Sequence, residues 1–239
     1  MAKIKWDEDG QRFYETGVKN CVLYIKKNKS TGGKPYDKGV AWNGITSISE
    51  NPSGAEATKL YADDRLYLNL TSAEEFGATV EAYTYPDEFA VCDGSAELMG
   101  GSGSTGTGVF FGQQNREVFG LCYRTVMGND ENGNDMGYKL HLVYGAKAAP
   151  SSKAYATVND SPEAITFSWE LTTTPVEVTG YKPTACITID STKADPSKLE
   201  DLLEILYGTD GASEGQGTDA RLPLPDEVAT IFGVTVSAG

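Results

Sequence analysis

The chain has 239 residues, 39% of them hydrophobic, which is enough to bury a sizeable core in one large all-β domain or two small ones, and one domain with long loops is expected. Twenty Lys and Arg stand against 34 Asp and Glu, a formal charge of −14 that argues against a protein gripping nucleic acid by neutralising its phosphates. The balance is uneven: residues 1–39 hold nine Lys and Arg and five Asp and Glu, and the remainder holds eleven and 29, an asymmetry that suits copies meeting through complementary patches.

The N-terminal stretch Met-Ala-Lys-Ile-Lys-Trp-Asp-Glu-Asp turns acidic where a signal peptide needs an apolar core. No apolar run approaches the ~20 residues of a membrane span, so a cytosolic protein without membrane contact is expected. Residues 18–26 read as a strand apolar enough to be covered on both faces. The polar, glycine-rich stretch after it, to Gly39, brings Lys26, Lys27, Lys29, Lys34 and Lys38 together as the most basic patch of an acidic chain. It suits either a solvated hairpin tip or a docking arm that orders on a partner.

Residues 40–49 and 57–70 carry strand patterns, with Asn51-Pro-Ser-Gly54 as a turn between them. In the second, Leu60, Ala62, Leu66, Leu68 and Leu70 share one face and Lys59, Tyr61, Asp63, Arg65, Tyr67 and Asn69 the other, as in a strand with water on one side. Residues 74–85 repeat the style, with Glu81 on the more polar face. Pro86 at a first helical position with acids behind it predicts one or two helical turns. Residues 94–108 are glycine-rich and read as a flexible loop. Residues 117–127 and 138–147 predict two strands joined as a hairpin, and residues 155–158, 165–172 and 184–190 complete the spacing of a sandwich or barrel.

One helix is predicted over about residues 196–207: Asp195 caps it, Pro196 opens it, and Leu199, Leu202, Leu203 and Leu206 make one stripe. Gly208 ends it. Residues 1–208 are therefore expected as one β-sandwich domain with this flanking helix, and residues 209–239 as a linker and a short apolar tail that docks on the body or on a neighbour.

Catalytic chemistry is not written in the pattern. Gly101-Ser-Gly-Ser-Thr-Gly106 matches the letters of a dinucleotide fingerprint, but Val109-Phe-Phe111 reads as strand where a helix must follow. Asp130-Glu-Asn-Gly-Asn-Asp135 has Asp135 and His141 where a calcium loop needs glycine and glutamate, so a solvated hairpin tip is expected. His141 is the sole histidine and is expected on the surface of its strand. Cys21, Cys92, Cys122 and Cys186 form no C-x-x-C pair and are expected as buried free thiols. No cofactor, metal site or enzymatic activity is predicted.

At Leu60-Tyr-Ala-Asp-Asp64, Gly137-Tyr-Lys-Leu-His-Leu-Val-Tyr-Gly145, Pro162-Glu-Ala-Ile-Thr-Phe-Ser-Trp-Glu170 and Thr188-Ile-Asp-Ser-Thr-Lys-Ala-Asp-Pro196 the chain resembles the major tail, or tail tube, proteins of long non-contractile-tailed bacteriophages. The resemblance implies a β-sandwich or partial barrel with a flanking helix, six copies closing into a ring, and rings stacking into a tube. It also implies DNA passing through without specific binding, tape measure, terminator and baseplate proteins as partners, and a virion location after assembly in the host cytoplasm. An acidic wall would repel phosphate, so Glu56, Asp63 and Glu81 are the lumen candidates, and the lysine-rich loop becomes a candidate arm for stacking on the next ring. The alternatives are another phage sandwich protein, such as a terminator or capsid decoration protein, and a carbohydrate-binding module using some of the thirteen Tyr and three Trp.

Overall fold

Alternation of apolar and polar positions makes this chain mainly β. The computed structural model describes residues 4–31, 34–99, 106–158, 160, 163–211 and 217–234. In chain order the strands are β1 (Phe13–Thr31), β2 (Lys34–Tyr36), β3 (Val40–Ala41), β4 (Ile45–Glu50), β5 (Ser53–Gly54), β6 (Ala57–Ala62), β7 (Arg65–Thr71), β8 (Glu74–Glu75) and β9 (Gly77–Ala82). After a short 3-10 turn at Asp87–Val91 come β10 (Ala96–Met99), β11 (Gly106–Phe111), β12 (Phe119–Asn129), β13 (Gly133–Ala148), β14 (Phe167–Thr173) and β15 (Cys186–Asp190), then helices α1 (Pro196–Tyr207) and α2 (Pro225–Ile231).

One antiparallel sheet carries the body in the order β2-β1-β12-β13-β14-β9-β4, with β3 added to β1 and β15 to β13. The long β13 serves two partners: Lys139 to Val143 pair with β15, and Ala146 to Ala148 pair with β14. Gly145 stands between them at φ 60°, where an added Cβ would lie 2.2 Å from the Thr174 carbonyl oxygen, so only glycine allows the strand to change partner here. The change of partner lays β14, β9 and β4 over one face of β1, β12 and β13.

Side-chain parity then sorts two cores. Leu23, Phe119, Leu121, Val143 and Ala146 meet Ala78, Val80, Ala82, Trp169 and Leu171 between the β layers, around an aromatic knot in which Phe89 lies 4.4 Å from Trp42 and 5.1 Å from Trp169 between ring centroids. The opposite face, with Val22, Tyr24, Leu140, Leu142 and Tyr144, packs under Leu202, Leu206, Leu222 and Val228. Among the described residues β1 and β4 share no ladder; Trp42 N–H donating to the Cys21 carbonyl at 2.9 Å bridges the gap, and the sandwich stays open rather than closing into a barrel.

Helix α1 forms as predicted: the Asp195 carboxylate accepts from the Ser197 and Lys198 backbone N–H groups, Leu199, Leu202 and Leu206 are buried, and Gly208 follows. Buried tyrosines tie the helical layer to the sheet, since Tyr24 donates to the Leu206 carbonyl at 2.6 Å and Tyr144 to the Pro223 carbonyl at 2.9 Å. The apolar tail therefore packs on its own body, where it forms α2.

Several strand expectations are corrected. Residues 57–70 are two strands, because Asp63 and Asp64 both adopt positive φ (53° and 59°) and turn the chain back as a two-residue hairpin loop. Residues 40–49 break into β3 and β4 so that Trp42 can drop into the core. Residues 155–158 form no strand, and β1 runs from Phe13 to Thr31, into the first part of the stretch read as a lysine-rich loop. Ala96–Met99 is a strand inside the presumed flexible segment, of which residues 100–105 lie outside the described part. His141 is buried: it shares its face of β13 with Val143, and Tyr123 and the Glu50 end of β4 cover it.

Candidate assembly surface

Between β4 and β9, which pair with each other, the chain makes an excursion as a two-stranded ribbon. Ser53 and Gly54 of β5 pair with Glu75 and Glu74 of β8, and β6 and β7 continue outward to the Asp63-Asp64 turn. Every residue of β6 and β7 is exposed. Leu66, Leu68 and Leu70 alternate along β7 and Leu60 lies opposite Leu68, so these leucines share one face, each between 42% and 51% exposed. Tyr61 and Tyr67 are more exposed still, at about 70%. A leucine stripe on a strand is usually the underside of a sheet; here, among the described residues, no layer covers it. Covering each of these half-exposed leucines would stabilise a contact by roughly 1 kcal/mol.

The neck of the ribbon is built for a change of direction. Gly54 and Ala55 both take positive φ (81° and 54°), and a Cβ on Gly54 would lie 2.2 Å from the Ala73 carbonyl oxygen. The backbone bonds there are long, 3.4 Å from Ala55 N–H to Ala73 and 3.3 Å from Ser72 N–H to Glu56.

A second hairpin, β10 with β11, is also uncovered among the described residues. Leu98, Val109 and Phe111 alternate onto one apolar face, and Phe110 lies opposite Glu97 on the other, all close to half exposed. Together the two hairpins carry most of the large apolar side chains on the described surface outside the N-terminal segment, an extent that marks interaction sites in soluble proteins.

The predicted site residues fall as follows. Lys26 is exposed on β1 opposite Tyr36, Lys27 lies 2.6 Å from Asp37, and Lys38 lies 2.7 Å from Asp219. Two cations of the basic patch thus already have carboxylate partners in their own chain, while the side chains of Lys29 and Lys34 lie outside the described part. Glu56 stands at the neck of the ribbon, Asp63 at its tip, and Glu81 in β9, where it accepts from the Ser47 hydroxyl at 2.9 Å. Asp130, read from sequence as a solvated loop residue, instead anchors the N-terminal segment through the Gly10 and Arg12 backbone N–H groups and the Arg12 guanidinium.

Sequence reasoning missed a polar cluster at the root of the ribbon. The His141 ring stacks on Tyr123 with centroids 4.7 Å apart, its Nε2 is 3.0 Å from the Thr125 hydroxyl, and its Nδ1 is 3.5 Å from Glu50, the last residue before the ribbon. Tyr123 donates to the same Glu50 carboxylate at 2.7 Å, and Glu15 approaches the other side of the ring at 3.7 Å while also meeting Lys139 and Thr125. Burial holds His141 below the usual histidine value despite the two carboxylates. The signal for this cluster lies in strand parity: Tyr123, Thr125, Lys139 and His141 all share the face of the inter-sheet core.

Among the described residues no cluster of His, Cys, Asp and Glu could hold a metal ion, and no helix is long and apolar enough to cross a membrane. The broad groove of about 850 Å³ beside Lys27, Asp37, Asp201, Glu204 and Arg221 mixes both signs of charge. No family model matches the chain, and no curated protein matches it. Among solved structures, a chain of the anti-feeding prophage baseplate, studied by cryo-electron microscopy with six-fold symmetrisation, is similar over 80% of this chain and 99% of its own, at 10% identity and a TM-score of 0.32. A TM-score of that size does not establish a common fold.

Proposed function

We propose that this protein is a structural subunit that works by self-assembly, and that its assembly is the tube of a bacteriophage tail. The observation that carries the self-assembly half is the uncovered apolar ribbon: a free monomer gains nothing from four leucines held in water, and a neighbour that covers them does. The tail-tube half comes from the sequence resemblance, which implies six-membered rings stacked into a tube, so that each copy touches at least two others. Its partners would then be further copies, a tape measure protein, and terminator and baseplate proteins, with DNA passing through unbound in the virion.

The acidic balance supports that conduit, because a wall of the same sign as DNA keeps a phosphate backbone from sticking. Glu56, Asp63 and Glu81 are the residues to neutralise first, and Lys26, Lys27, Lys29, Lys34 and Lys38 the ones to test for ring stacking. The deciding experiment is sedimentation and negative-stain microscopy of the purified protein over a wide concentration range. Rings or tubes with an open bore are expected; a protein that stays monomeric throughout and binds glycans on an array is a carbohydrate-binding module instead.

A further inference from the structure

We propose that the cleft at the irregular edge of β1, beside the end of α1, is a binding site for a single carboxylate, which Lys19 and Arg124 hold between them.

Lys19 and Arg124 stand directly opposite each other in the β1–β12 ladder, which shifts register on both sides of the pair and leaves Asn20 at φ 55°. Directly opposed residues of an antiparallel ladder project to the same face, where two like charges repel. In a chain of −14 the usual remedy is close at hand: Lys139, Lys153 and Arg221 each sit against a carboxylate of their own chain. Among the described residues no carboxylate pairs with Lys19 or Arg124. The repulsion between these two cations is left for a bound anion to relieve.

Arg124 is oriented for that role. Its guanidinium lies 4.4 Å from the Tyr138 ring centroid and 5.0 Å from that of Tyr207, and its Nε donates to the Tyr207 hydroxyl at 3.0 Å. These contacts fix the plane of the group, and among the described residues nothing bonds its two Nη groups, the fork that matches a planar carboxylate. A cation here could instead serve the negative end of α1, but the Ile205 and Leu206 carbonyls already accept from the Arg221 backbone N–H and the Tyr24 hydroxyl.

Tyr207 also lines a cleft of about 440 Å³, together with Lys19, Asn20, Trp42 and Asn43, and Arg124 stands at its margin, bonded to Tyr207 and opposite Lys19. No Asp or Glu lines this cleft, in contrast to the groove beside Lys27. Two amides, a lysine and a phenol offer donors to an anion. The volume suits one small acid or one acidic side chain rather than a nucleic acid, which the acidic body repels.

Calorimetric titration of the full chain at about 0.01 M ionic strength tests the site, with succinate and an end-blocked peptide carrying one glutamate as probes. Saturable binding of at least one probe, at one site per chain and with a Kd of about 1 mM or tighter, is expected. Succinamide, which keeps the shape without the charge, should not bind. Arg124→Lys keeps the charge but loses the fork, and Lys19→Gln removes the second cation; each should weaken binding at least about tenfold. Lys19 is exposed, so its variant carries the test if Arg124→Lys disturbs folding. Binding of the peptide alone supports the site and assigns the carboxylate to a protein partner, whereas binding of succinate supports it as a site for a small acid. The proposal is overturned if neither probe binds, if both variants bind as the parent does, or if inorganic phosphate binds more tightly than either carboxylate.

Discussion

His141 sits where two layers of the protein are fastened together. Its ring is buried against Tyr123, with Glu50 and Glu15 on its two sides, Lys139 beside Glu15, and Thr125 and Thr188 as hydroxyl partners. Because burial depresses its folded-state affinity for a proton, the unfolded chain takes up the proton first as pH falls below about 6.5. The stability associated with the neutral ring is therefore present above that value and is lost toward the lower folded value. Glu15, which burial raises but its bonds to Lys139 and Thr125 bring down overall, loses its own contribution only below the ordinary carboxylate range. Melting temperatures between about pH 7.5 and about pH 5.5 should fall with acid in the parent and show a shallower fall in His141→Gln; equal slopes would mean that His141 does not titrate in this window. The thiols give a second expectation at this scale. Burial pushes Cys92 and Cys122 up to about 12 and raises Cys21 too, so these cysteines should resist alkylation at neutral pH until the protein is unfolded, as a mass-spectrometric time course would register.

At the scale of elements, the helix is the part whose stability can be assigned group by group. Asp195→Ala removes a side chain that satisfies two backbone donors and should cost about 1 kcal/mol in a denaturant melt. Leu206→Ala opens a hole under a fully buried side chain and should cost about 2–5 kcal/mol, with the larger loss distinguishing packing from capping as the main source of stability. The same locality explains why α1 was legible in the sequence from cap to last residue: cap, proline and leucine stripe all lie within one stretch of chain. The ribbon was less legible. Its leucines were correctly placed on one face, because Leu60 and Leu68 keep the same parity across the turn, but the turn itself is Asp63-Asp64 rather than the Asn-Gly that announces such hairpins. That no layer among the described residues covers the leucines is a non-local fact, which no periodicity contains. The burial of His141 was missed because Glu50 reaches it from β4, far away in the chain, although its neighbour Tyr123 on the paired strand β12 was legible from parity.

For the whole molecule, salt separates two ways of assembling. If copies joined mainly by lysines of the β1–β2 hairpin reaching acids on a neighbour, raising ionic strength would screen the attraction and dissolve the assembly. Lys27 and Lys38 are each paired within their own chain, which weakens that route, whereas β6, β7 and their turn carry no net charge, although Glu56, Glu74 and Glu75 stand at the neck. With an apolar junction on mutually repelling bodies, screening removes the repulsion and leaves the junction untouched. Raising ionic strength from about 0.01 M to about 1 M shortens the reach of charge from about 30 Å to about 3 Å, and should lower the concentration at which assembly begins. Sulfate should act more strongly than chloride at equal ionic strength, because it also strengthens apolar burial. Light scattering during a salt titration reads both effects. Dissociation on adding salt would place the junction on the lysines instead, and a ribbon variant with Leu66→Asp and Leu68→Asp would then assemble as the parent does.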